Sequence, residues 1–183
     1  MTFDCLFAGF GGQGVMTVGK TLAYMAMRQG RNVTYLPSYG AEVRGGTANC
    51  TVIVSDEPIA SPISDSPWCV VALNRPSFLK FEPRVTPGGL LIVNSTLVRE
   101  QSERGDLRAL YVGVTETARR LGDARAANMA ALGVLLHEVE LVTLEEAQAL
   151  LGEVFPKHRA QLLPLNRRAL EAGWAAASGA AVP

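Results

Sequence analysis

Phe3-Asp4-Cys5-Leu6-Phe7-Ala8-Gly9-Phe10-Gly11-Gly12-Gln13-Gly14-Val15-Met16-Thr17-Val18-Gly19-Lys20 is the stretch whose reading decides the fold. Phe3 to Ala8 is a short apolar run with the character of a strand, closed by Gly9. From about Gln13 to Gln29 the pattern turns helical: Val15, Val18, Leu22, Met25 and Ala26 share one face, with Thr17, Lys20, Thr21, Tyr24 and Arg28 on the other. Strand, glycine loop and helix in succession bring backbone N–H groups at a helix N-terminus toward an anion. Gly9, Gly11 and Gly14 satisfy the dinucleotide spacing G-x-G-x-x-G, but the second strand ends in Leu36-Pro37-Ser38 and lacks the acidic residue that would hold a ribose. Gly14 to Thr21 also spells the phosphate-loop pattern G-x-x-x-x-G-K-[ST]. That reading fails on geometry, because it would force Val15, Met16 and Val18 out of a helix and leaves Lys20 about 10 Å along the axis. The strands that should end in a magnesium-binding aspartate end in Asn74 and Asn94.

Working outward, Asn32 to Leu36 and Ala48 to Ser55 read as the next strands. Three prolines between Asp56 and Pro67 predict an extended surface excursion. Trp68 to Leu73 and Leu90 to Val93 are near-continuous apolar runs, the pattern of strands covered on both faces of a parallel sheet, with a short helix, Arg75 to Phe81, between them. Arg108 to Val112 is a further strand. Helices follow at Thr115 to Leu121, Ala126 to Glu140, Thr143 to about Glu153 and Leu162 to about Ala177, the third opened by the capping box Thr143-Leu144-Glu145-Glu146. The expectation is one α/β domain over residues 1–183: a Rossmann-like, mostly parallel sheet flanked by helices, with a helical C-terminal third.

Composition narrows the function. The 183 residues carry 17 basic and 17 acidic side chains, so no net field draws nucleic acid or an anionic membrane. No uncharged run approaches the roughly 20 residues that span a bilayer and no secretory leader opens the chain, which points to the cytoplasm. Cys5, Cys50 and Cys69 lie far apart in mostly apolar, strand-like runs, as buried thiols do in a reducing compartment. His137 and His158 fall in helical segments without a paired nucleophile or ligand and read as structural or exposed.

The candidate site has two loops. Gly11, Gly12, Gln13 and Gly14 form the first. Ser38-Tyr39-Gly40-Ala41-Glu42-Val43-Arg44-Gly45-Gly46-Thr47 follows the second strand and is expected beside the first, at the carboxyl end of the sheet where α/β domains bind ligands. Glu42 and Arg44 with Tyr39, Gly45 and Gly46 offer a charged fork to an anionic ligand or a partner. Asn128 reaches the same crevice from a helix N-terminus or else caps that helix.

These residues, taken together, resemble a known family. Gly11 to Gly14 continuing to Gly19-Lys20, Ser-Tyr-Gly-x-Glu-x-Arg-Gly-Gly at Ser38 to Gly46, Ser-Asp-x-Pro-Ile at Ser55 to Ile59 and Asn-x-x-Ala-Leu-Gly at Asn128 to Gly133 look like the gamma subunit of 2-oxoacid:ferredoxin oxidoreductases. Leu-Pro-Leu-Asn at Leu163 to Asn166 resembles the branch acting on 2-oxoglutarate or branched-chain 2-oxoacids. The resemblance implies an oxidoreductase of class EC 1.2.7, active only as part of a complex. That complex would join this chain to alpha and beta subunits, with a ferredoxin-like delta subunit as a further candidate. It converts a 2-oxoacid and coenzyme A to acyl-CoA and carbon dioxide, with ferredoxin as electron acceptor. Thiamine diphosphate, Mg2+ and iron–sulfur clusters would sit in the partners and none in this chain alone, since three scattered cysteines cannot supply a cluster. Gly11, Gly12, Gln13, Gly14, Ser38, Tyr39, Glu42, Arg44, Gly45, Gly46 and Asn128 would face the cofactor or the coenzyme A channel, with no catalytic and no metal-ligating residue here. The competing readings are a nucleotide-binding regulatory module and the small subunit of indolepyruvate ferredoxin oxidoreductase.

Overall fold

The computed structural model describes residues 1–39, 47–155 and 157–179, the side chains of Tyr39 and of residues 157–159 excepted. Its strands are β1 (Thr2–Phe10), β2 (Asn32–Tyr39), β3 (Thr47–Ser55), β4 (Cys69–Ala72), β5 (Leu90–Asn94) and β6 (Arg108–Val112). They form a sheet in the order β2-β3-β1-β4-β5-β6. β1, β4, β5 and β6 pair in parallel, whereas β3 runs antiparallel to both β1 and β2. The mostly parallel Rossmann-like sheet is therefore borne out, with one reversed strand wedged between β1 and β2.

Apolar content explains the parallel half. β4 and β5 are buried along their whole length, as strands covered on both faces must be. The helices are α1 (Val15–Arg28), α2 (Arg75–Phe81), α3 (Val114–Arg120), α4 (Ala127–Val139), α5 (Leu144–Val154) and α6 (Leu163–Ala177). On one face of the sheet the main core joins α1, α4 and α6 to Cys5, Phe7, Val52, Val71 and Ile92. On the other, Leu6, Val70, Leu91 and Val93 pack with Phe78 and Phe81 of α2. α4 is buried nearly all round, and its Leu132, Leu135 and Leu136 each contribute about 1.5–3 kcal/mol by leaving water.

Several boundaries differ from the sequence reading. β1 continues through Gly9 to Phe10, because Gly9 pairs with Ala48 and Phe10 with Thr47 of β3. β2 likewise runs through Pro37 to Tyr39, so Ser38 and Tyr39 belong to a strand rather than to a loop. β2 is an edge strand, where a missing proline N–H is tolerated. Thr21, expected on the open side of α1, is fully buried and turns its hydroxyl back to the carbonyl of Thr17 at 2.8 Å.

Other expectations hold. Thr143 and Glu146 make both bonds of the capping box, at 3.2 and 2.8 Å. The three cysteines are free and buried. Burial pushes the Cys50 thiol up to about 12, and burial with Cys69 alongside pushes Cys5 well above the ordinary thiol range. His137 packs edge-on against Trp174, a structural role; the side chain of His158 lies outside the described residues.

Candidate functional site: a crevice around the glycine loop

α1 starts at Val15, with Gly14 as its N-cap in the left-handed region at φ 73° and no side chain capping the helix. A residue with a Cβ would be strained there and would collide with the Asn128 carboxamide. Gln13 braces the loop ahead of that cap. Its Oε1 accepts from the N–H of Phe10 at 2.7 Å and from Asn74 Nδ2 at 2.9 Å, while its Nε2 donates to the Leu73 carbonyl at 3.2 Å. The Asn74 side-chain oxygen Oδ1 caps α2 by accepting from Ser77 N–H at 2.9 Å. Asn94 Nδ2 donates to the same Leu73 carbonyl at 3.0 Å and to Thr115 Oγ1 at 2.9 Å. The two asparagines standing where a phosphate-loop enzyme would place aspartate are thus structural ties between strand ends and helices.

Asn128, in the first turn of α4, donates to the Gly14 carbonyl at 3.1 Å, and its own carbonyl oxygen accepts from Met129 N–H at 2.9 Å. The N-cap of α4 is Ala126, so Asn128 reaches the glycine loop as one of its two readings expected. Lys20 is exposed six residues into α1, about 7.5 Å along its axis from Val15.

The loop stands between cavities. A crevice of ≈ 600 Å³ opens beside Gly12, Gly14, Thr17 and Asn128, closed by Asp123, Arg125, Phe155, Gln161, Leu165 and Asn166. A smaller one of ≈ 200 Å³ lies across Gly12 and Gln13, against Asn94, Thr115, Arg119 and Arg125. A third, of ≈ 270 Å³, runs from Phe10 past Gly14 to Met16 and Ala48. Asp123 caps the short 3-10 turn Ala124–Ala126 and accepts from Arg125 Nε at 2.8 Å. The side-chain bond to Arg125 holds the Asp123 carboxyl below the usual range, and Asp123 raises Arg125 in turn.

The structure thus brings Gly12, Gly14 and Asn128 together at the ≈ 600 Å³ crevice, with Gln13 on the ≈ 200 Å³ cavity and Gly11 on the third. Ser38 is exposed on β2, opposite Asn49. Glu42, Arg44, Gly45 and Gly46 lie outside the described residues; Tyr39 and Thr47, which bound that segment, stand level with the end of β1 through their pairing with Ala48 and Phe10. Sequence reasoning missed Thr17, Asp123, Arg125 and Asn166. The signal for Asp123 was present in Gly122-Asp123, a turn and N-cap pair between two helices. Among the described residues no group of three or more His, Cys, Asp or Glu side chains converges in a way that could hold a metal ion, and no helix is long and apolar enough to cross a membrane.

Fold and crevice together define a mostly parallel α/β domain with an open crevice at the carboxyl end of β1, beside an uncapped helix N-terminus. The chain belongs to the pyruvate ferredoxin/flavodoxin oxidoreductase family, whose sequence pattern matches residues 4–176. It is 42% identical over 171 residues to the ketoisovalerate oxidoreductase subunit VorA of Methanothermobacter thermautotrophicus, covering 92% of this chain and 35% of that one. It is 33% identical over 156 residues to the 2-oxoglutarate synthase subunit KorC of the same organism, covering 81% and 82%. The chain therefore spans about a third of the length of its VorA relatives and most of the length of KorC. Among solved structures it superposes on a keto/oxoacid ferredoxin oxidoreductase gamma subunit from Geobacter sulfurreducens with a TM-score of 0.83 at 28% identity, over 97% of this chain and 99% of that chain. It also matches a 2-oxoglutarate:ferredoxin oxidoreductase from Magnetococcus marinus with 2-oxoglutarate, coenzyme A and succinyl-CoA bound, at a TM-score of 0.88 and 24% identity, over all of this chain and 32% of that one. The family read from the sequence motifs is borne out.

Proposed function

We propose that this chain, as one gamma-type unit over residues 1–183, serves a multisubunit 2-oxoacid:ferredoxin oxidoreductase of class EC 1.2.7. The complex oxidatively decarboxylates a 2-oxoacid of the 2-oxoglutarate or branched-chain kind with coenzyme A, releasing acyl-CoA and carbon dioxide and passing two electrons to ferredoxin. The observation that carries this reading is the family match across residues 4–176, joined to a ≈ 600 Å³ crevice built on the family's own glycine loop. Relatives named for ketoisovalerate and 2-oxoglutarate support the substrate class and do not favour the regulatory-module or indolepyruvate readings.

On this reading alpha and beta subunits, with a ferredoxin-like delta subunit where one is present, bring the thiamine diphosphate, Mg2+ and iron–sulfur clusters. This chain's thiols support that division, because Cys5 and Cys50 are held protonated by burial and a cluster needs thiolates. Thiamine diphosphate would supply the carbanion chemistry in the partners. This chain would bind and orient coenzyme A: Gly11, Gly12 and Gly14 let the backbone approach it, and the positive end of α1 faces its phosphates. Gln13 and Asn128 hold that loop in shape. Ser38, Tyr39, Glu42, Arg44, Gly45 and Gly46 would wall the same centre from the segment after β2. The complex would work in the cytoplasm, without contact to membrane or nucleic acid.

Affinity capture of the tagged chain from its native cell tests the proposal. The expected eluate contains partner subunits, absorbs as iron–sulfur proteins do and reduces ferredoxin with a 2-oxoacid only when coenzyme A is added. A colourless, solitary chain would overturn it.

A further inference from the structure

The ≈ 600 Å³ crevice is lined by one buried amide side chain that has no hydrogen-bond partner among the described residues. Asn166, in the first turns of α6, is only 7% exposed and lines the crevice, yet its carboxamide has no hydrogen-bond partner among the described residues. Buried carboxamides are nearly always paired, and the polar atoms of Asn166 are not among the fully enclosed unpaired ones, so they keep contact with solvent. The buried or half-buried amides around the loop are engaged, Gln13, Asn74, Asn94 and Asn128 all holding backbone or one another, whereas Gln161, which also lines the crevice, is exposed. Across the crevice from Asn166 stand Gly14 and Thr17, at the start of α1, whose N-terminus has no side-chain cap. Arg125 is present but already faces Asp123, so the helix terminus rather than a free cation is the positive pole.

We infer that Asn166 is a recognition residue for the ligand of this crevice. Its carboxamide pairs with a neighbouring donor and acceptor on a ligand whose phosphate lies at the N-terminus of α1. Asparagine matches such a pair bidentately, as it does the edge of adenine or an amide. Coenzyme A carries both groups, the adenine in its nucleotide half and the amides in its pantetheine arm. The inference rests on the function proposed above, which supplies the ligand; the residue and its chemistry come from the crevice.

The test uses the complex captured through this chain. With Asn166→Ala, KM for coenzyme A rises about tenfold, as expected for the loss of one or two hydrogen bonds, while kcat and KM for the 2-oxoacid stay within about twofold. Asn166→Asp keeps the volume, loses the donor and places a negative charge near the phosphate, so KM rises further. Inhibition by 3′,5′-ADP and by pantetheine locates the pair: the half whose inhibition weakens with the variant is the half that Asn166 reads. Lys20→Ala, on the exposed side of α1, leaves all constants unchanged. A variant complex that assembles and keeps its KM for coenzyme A overturns the role of Asn166 and leaves the proposed function standing. A wild-type complex without coenzyme A-dependent turnover overturns that function instead. Hydrogen exchange on the wild-type complex needs no variant: coenzyme A should protect the backbone of residues 163–169, and an unchanged exchange there contradicts the inference.

Discussion

The seam between α4 and α6 and the loop between β1 and α1 are both built on glycine, and they use it for opposite purposes. In the seam, a Cβ at Gly133 would overlap the Leu170 carbonyl, and one at Gly173 would overlap the Ala130 carbonyl, so each helix rests on the other's backbone. Both glycines are there because any side chain would push the helices apart. In the loop, a Cβ at Gly12 would meet nothing within 4 Å, and Gly14 matters for its positive φ and for the carboxamide beside it. The seam sets stability and the loop sets a surface. In the seam the glycines serve packing against a neighbouring backbone, and in the loop they serve a backbone conformation that other residues rarely adopt.

The comparison predicts that damage to the seam costs stability and damage to the loop costs function. The largest effect is expected from Gly173→Val, which inserts three carbons between α4 and α6. Overpacking of this kind costs about 3 kcal/mol, a fall of roughly 6–12 °C in Tm for a chain of this length. Gly14→Ala comes next, because alanine in the left-handed region costs about 1–2 kcal/mol, or roughly 2–8 °C. Its signature is different: the complex still assembles, and coenzyme A-dependent turnover falls by more than the loss of stability explains. If Gly14→Ala keeps full turnover, the contrast between seam and loop is broken.

Gln13→Glu sharpens the contrast within the loop. The substitution keeps the shape and the acceptor for Phe10 N–H but turns the donor facing the Leu73 carbonyl into an acceptor. A loss of about 1–2 kcal/mol is expected by chemical denaturation, with KM for coenzyme A raised and assembly intact. The smallest effect concerns the core thiols. Cys50 has a folded pKa of about 12 against an ordinary 9.0, so the folded chain keeps a proton that the unfolded chain releases. Stability is therefore complete below about pH 9 and declines as pH climbs toward 12. Denaturation midpoints should drop between pH 8 and pH 10.5, by less in Cys50→Ala. At pH 8 a thiol reagent should find all three cysteines only after unfolding.

Much of this was legible in the residues. Apolar runs located β4 and β5 to within a residue, because strands buried on both faces show no ambiguity of period, and the capping box fixed the start of α5. The glycine loop was legible as a site through its place between strand and helix. The insertion of β3 between β1 and β2 was not, since Ala48 to Ser55 carries no mark of its direction. The lengths of β1 and β2 were misjudged because Gly9 and Pro37 read locally as breaks, whereas pairing with β3 carries both strands past them. Asn166 showed only as part of a family motif; its burial without a partner exists only once α6 packs beside the loop.

Reconstitution tests the central claim most directly: purified partner subunits are assayed for 2-oxoacid-dependent, coenzyme A-dependent ferredoxin reduction with and without this chain added. Acyl-CoA formation that saturates as the chain reaches equimolarity, and is absent without it, is the predicted result. Partner subunits that turn over equally well alone would contradict the assignment of the coenzyme A crevice to this chain.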